Sequence, residues 1–91
     1  MAVMKKVFHS DAGHGWLAVK MDELKMMGIE SDISEHSYVK GKTVYLEEDC
    51  DAMKFINAAK GKGITVELKE SPPRDTSPIR YFKSYSPELV D

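Results

Sequence analysis

A chain of 91 residues has room for one domain, close to the size at which a single hydrophobic core only just outweighs chain entropy. With 42% apolar and 31% charged residues it is neither a membrane span nor a disordered tail. Lys and Arg total 13 against 15 Asp and Glu, a net charge of −2, which excludes a chain-wide field toward nucleic acid or anionic lipid; any such binding has to be local.

Val3 to Phe8 is rich in β-branched and aromatic residues and reads as a strand. The turn formers Ser10-Asp11-Ala12-Gly13-His14-Gly15 follow, and Trp16-Leu17-Ala18-Val19 resumes as a second strand. Because His9, Ser10 and Asp11 interrupt the apolar run at once, no signal peptide is expected. No apolar stretch nears the roughly 20 residues of a membrane helix, so no membrane partner is expected. Met21 to Met27 reads as a short helix with Asp22 and Glu23 in its first turn, where the helix dipole favours them, and Gly28 at its left-handed end. His36–Val39 and Thr43–Leu46 form a hairpin around Lys40-Gly41-Lys42. Ala52–Lys60 carries the best helical pattern, with Asp49 as its predicted N-cap, and Ile64–Lys69 alternates cleanly as a strand. The proline-rich stretch from Ser71 to Pro78 is a loop; Ile79–Tyr85 returns to strand character, as an edge strand or ordered arm.

These elements predict a small α+β domain over residues 1–85, an antiparallel sheet of two hairpins plus a strand packed with two helices, and a frayed tail over 86–91. Cys50 is the only cysteine, which excludes an intrachain disulfide and points to a reducing, cytoplasmic setting.

Three constellations could carry chemistry. His9, Asp11 and His14 in a glycine-containing turn offer three ligands to a divalent metal, the one cofactor the sequence suggests, although the plain reading is turn chemistry. Glu47-Glu48-Asp49-Cys50-Asp51 gathers carboxylates around a thiol, read chiefly as helix capping; these anions oppose a reactive thiolate at Cys50. In the arm, Arg80 and Lys83 alternate with Tyr81, Phe82 and Tyr85, the pairing of cations with rings that single-stranded nucleic acid binding uses. Trp16, the single tryptophan, belongs by default in the core, and if exposed would lead a protein-binding surface together with Glu47, Glu48 and Asp51.

The blocks His9-Ser10-Asp11-Ala12-Gly13-His14-Gly15-Trp16-Leu17, Ser37-Tyr38, Val44-Tyr45-Leu46-Glu47-Glu48-Asp49-Cys50-Asp51 and Ser77-Pro78-Ile79-Arg80 together resemble a family of small uncharacterised bacteriophage and bacterial proteins without an assigned activity. The resemblance spans His9 to Tyr85. It implies a phage or mobile-element accessory protein in a bacterial cytoplasm and carries no catalytic residues. The preferred expectation is a soluble, non-enzymatic protein that binds and modulates a host protein, as monomer or homodimer. The alternatives are a metal-binding module or metal-dependent enzyme at His9, Asp11 and His14, and a single-stranded nucleic-acid binder through the arm.

Overall fold

The β-branched run at the start of the chain becomes β1 (Ala2–Ser10), and the segment after the glycine turn becomes β2 (Gly15–Lys20), each longer than the sequence pattern marked. They pair antiparallel, with Val7 opposite Ala18 and His9 opposite Trp16. This is a computed structural model, and it describes residues 2–72 and 78–86. Most of the predicted proline loop and all but the first residue of the predicted frayed tail lie outside the described residues.

α1 (Met21–Met27) follows β2 directly and buries Met21, Leu24 and Met27. Its end is built by Gly28, whose φ of 73° lets its N–H reach the Lys25 carbonyl while the Ile29 N–H reaches Leu24. Both bonds satisfy carbonyls that a helix terminus otherwise leaves bare. At the other end the Glu23 carboxylate accepts the Lys20 N–H at 2.7 Å and also pairs with Lys6 of β1, tying the helix to the sheet.

β3 (Tyr38–Lys40) and β4 (Thr43–Glu47) form the second hairpin, turned at Gly41. α2 (Asp51–Gly61) begins one residue earlier than its periodicity suggests, with Cys50 rather than Asp49 at the N-cap. The turn ahead of the helix is fixed by Glu47, whose carboxylate accepts the N–H groups of Asp49 and Cys50, each at 3.0 Å, and the N-cap residue Cys50 makes no side-chain capping bond.

β5 (Ile64–Glu70) enters the sheet parallel to β1, Ala2 opposite Ile64 through Phe8 opposite Glu70. A strand reached through a crossover helix runs the same way as the strand before it, and α2 is that crossover. Among the described residues the result is a six-stranded mixed, open sheet in the order β5-β1-β2-β4-β3-β6, with the short β6 (Lys83–Ser84) at the edge, a small α+β domain. The helices share one face: Leu17, Val19, Val44 and Leu46 from the sheet pack with Leu24, Phe55 and Ala59.

The last segment departs most from its sequence pattern. Ile79–Tyr85 is not a continuous strand: a 3₁₀ turn at Pro78–Tyr81 precedes β6 (Lys83–Ser84), which pairs with β3. Tyr85 then passes to the helix side, where it is 2% exposed and belongs to the core. Its N–H reaches the Ser37 carbonyl at 2.8 Å and its hydroxyl donates to the Glu30 carbonyl. Among the described residues, no helix is long and apolar enough to cross a membrane.

Candidate functional site: a cleft at one end of the sheet

The glycine turn between β1 and β2 is organised by Asp11. Its carboxylate accepts the N–H groups of Gly13 and His14, each at 3.0 Å, the local bonding that favours aspartate in turns. The same carboxylate, with no side-chain exposure, takes both Nε and an Nη of Arg80, the latter at 2.8 Å. This two-pronged ion pair joins positions 69 residues apart and anchors the C-terminal arm to the turn. Hydrogen bonding to Asp11 also raises the Arg80 pKa, so the guanidinium stays charged.

The metal reading of His9, Asp11 and His14 is therefore corrected. Among the described residues no group of three or more His, Cys, Asp and Glu side chains is placed to hold a metal ion. Asp11 is committed to Arg80 and the turn, while Nδ1 of His9 lies 3.1 Å from the Ser71 hydroxyl and its ring edges against Tyr45. The His14 ring sits apart from these, against Trp16 at 5.9 Å. Alternation along β1 turns His9 onto the strand face, whereas His14 rides on the turn, so spacing in sequence did not become convergence in space.

What forms instead is a cleft of about 660 Å³ whose lining brings the rings of His14, Trp16 and Tyr38 together with Arg80, Glu35, Glu47 and Asp49. Trp16 is 2% exposed, the burial expected by default of the single tryptophan, so it is not a protruding hot spot. It lies on the sheet face without helices, roofed by Arg80 5.9 Å from its ring centre and edged by Tyr38 at 6.3 Å. Glu35, Glu47 and Asp49 make part of the cleft wall acidic. Glu35 and His36 belong to the connection after α1, and the sequence pattern had not marked either for the site.

Asp51 positions that wall, and it too is corrected: it is wholly buried and cannot meet a partner. Its Oδ2 accepts the Ser34 N–H at 3.0 Å, the Ser34 hydroxyl at 2.7 Å and the Ser37 hydroxyl at 2.5 Å, and Lys54 reaches Oδ1 at 3.1 Å. Ser37 in turn accepts the Glu47 N–H at 2.9 Å. Burial pushes the Asp51 pKa up, but the hydrogen bonds from Ser37, Ser34 and Lys54 outweigh it and hold the carboxyl below its ordinary value. The carboxylate is a hub fixing the 34–37 segment, and hence Glu35 and His36, to the start of α2.

Cys50 is an exposed thiol on the cleft wall. Shielding from solvent and the carboxylates of Glu47 and Asp51 push its pKa up, the direction expected from the surrounding anions. Cys50 should therefore react with iodoacetamide at pH 8 more slowly than free glutathione, and Glu47→Gln should speed it; a rate above that of glutathione would contradict this electrostatic picture.

The arm cations and rings do not form one stacking surface. Arg80 is held by Asp11, Phe82 packs on Tyr45 at 5.3 Å under the Lys40 ammonium, and Tyr85 is in the core. Only Tyr81 and Lys83 of that set stand exposed. No protein-family model, no curated protein and no solved structure matches the chain.

Proposed function

We propose that this chain is a small, non-enzymatic binding protein that docks a protein partner on the cleft, with the acidic rim meeting basic side chains. One observation carries the reading. Glu35, Glu47 and Asp49 line one cleft together with the rings of Trp16 and Tyr38, while the carboxylates shielded enough to do chemistry, Asp11 and Asp51, are tied into structural hydrogen bonds. A rim of this kind favours a partner through complementary charge and closes over rings that exclude water. Glu48, exposed beside Glu47, stands outside the cleft lining, with its carboxylate toward the Phe8 side of Gly15. The motif resemblance to phage and bacterial proteins supplies the setting: a phage or mobile-element accessory protein acting on a host protein in the bacterial cytoplasm.

The test is affinity capture from a bacterial lysate with the whole chain as bait, beside a Glu35→Lys/Asp49→Lys variant. One host protein should be retained at near-stoichiometric amount by the wild-type chain. The charge-reversed variant should retain about tenfold less, equivalent to about 1.4 kcal/mol. Equal capture by the two baits, or none by either, sinks the proposal.

A further inference from the structure

The sheet face without helices carries a second surface, of opposite sign to the cleft. Strand alternation places Val3, Lys5, Val7 and His9 of β1, Ala18 and Lys20 of β2, Thr43 and Tyr45 of β4 and Lys40 of β3 on this face, with Lys69 of β5 beside Val7. Lys5, Lys20, Lys40 and Lys69 are all exposed. Lys5 and Lys20 stand on adjacent strands and line one shallow groove with Val7, Ala18 and Thr43. Like charges on neighbouring strands repel, which makes such a row unfavourable unless an anion lies across it. Carboxylates share this face too: Glu67 next to Lys5, Glu47 at the far end, where it is already bonded to the backbone of Asp49 and Cys50, and Asp11 beyond His9, held by Arg80. The net charge of −2 thus conceals a separation, with acid on the cleft rim and base on the opposite half of the open face.

Rings border the lysines. Tyr45 packs against Phe82 at 5.3 Å with the rings tilted and meets His9 edge-on at 5.8 Å, and Lys40 sits 4.9 Å from the Phe82 ring centre. Tyr45 follows Thr43 on the same face of β4, one same-face step beyond the row that holds Lys20 and Lys40. One such step along a strand is about 7 Å, a separation that lets a phosphate meet a lysine while its base reaches a ring. Rows of cations beside half-exposed rings are the chemistry of a sequence-tolerant single-strand site. From this charge complementarity we infer that the open sheet face binds single-stranded nucleic acid, with Lys5, Lys20 and Lys40 on the phosphates and the Tyr45–Phe82 pair against the bases.

The experiment is fluorescence anisotropy of a labelled oligothymidylate titrated with the whole chain between about 50 and 200 mM salt, the range over which phosphate contacts are weakened. Three phosphate contacts predict a loss of roughly 20-fold across that range, from a slope near 0.7 per contact. Lys5→Gln/Lys20→Gln/Lys40→Gln, at three exposed positions, should abolish most of that salt dependence, with a melting temperature measured alongside to show that the variant is folded. Glu35→Lys/Asp49→Lys, on the cleft, should leave oligonucleotide binding in place, which separates this surface from the protein-docking one. No binding at the lowest salt, binding that the triple variant retains, or stronger binding to vesicles of anionic lipid than to the oligonucleotide would each overturn the inference.

Discussion

Replacing Asp51 by alanine should lower stability by about 3 kcal/mol or more, because it strips the acceptor from the Ser34 N–H, two hydroxyls and the Lys54 ammonium in one step. For a domain of this size each kcal/mol moves the melting temperature by about 4–8 °C, so the variant should melt at least about 12 °C lower by circular dichroism. Asp51→Asn keeps one carbonyl acceptor and should fall between the two. The pH dependence has a definite sign. A carboxyl whose folded pKa is depressed contributes its full stability above the unfolded value of about 3.9 and loses it as pH falls through the folded value. Wild-type stability should therefore drop below about pH 4, and the drop should be shallower in Asp51→Asn; identical acid limbs in the two proteins would remove Asp51 as the hub.

Tyr85→Ala should cost about 3–5 kcal/mol, the range for emptying a buried aromatic position, since its ring is part of the core rather than a cover on an edge. Tyr85→Phe keeps the ring and removes only the hydroxyl bond to the Glu30 carbonyl, a loss of about 1 kcal/mol. Burial, and then the negative charges of Glu30 and Asp51, raise the Tyr85 pKa. A raised value means that its contribution is complete below the unfolded pKa of about 10 and is lost as pH climbs through the folded one. Urea titrations across alkaline pH should show that limb weakened in Tyr85→Phe. Should Tyr85→Ala melt within about 2 °C of wild type, the arm would not be plugged into the core.

The two substitutions act at either end of one arrangement. Tyr85 pins the chain after β6 through the Ser37 carbonyl, and Asp51 holds Ser37 and Ser34 from the other side. Glu35 and His36 lie between those two serines, so the acidic wall of the cleft is positioned by buried groups that no partner touches. A loss of binding in Asp51→Ala would consequently report a displaced wall, whereas the same loss in Glu35→Lys/Asp49→Lys reports the contact itself.

How far the site could be read in advance follows from the range of the interactions that make it. Glu47 was visible because the hydrogen bonds it accepts from the turn before α2 are local, within three residues. Glu35, His36 and Tyr38 were missed as site residues because nothing in their neighbours marks a cleft wall. Their placement depends on Asp51, which is 14 residues from Ser37, and on the register of β3 against β4. The paired histidines of the glycine turn misled in the opposite sense. Their spacing suggested ligands, but Asp11 found a stronger partner in Arg80, which local pattern could not join to it across the length of the domain.

Sequence by itself determined the α+β class, both hairpins, both helices and the Gly28 helix stop, since apolar period and left-handed backbone preference act over a few neighbours. Only the tertiary structure decided that β5 joins beside β1 and runs parallel to it, that the arm turns through a 3₁₀ step to bury Tyr85, and that acid and base separate onto different surfaces. Those outcomes depend on which strands become neighbours and which face the helices cover. Both are settled by burial of the whole core at once, and no local stretch of chain encodes them.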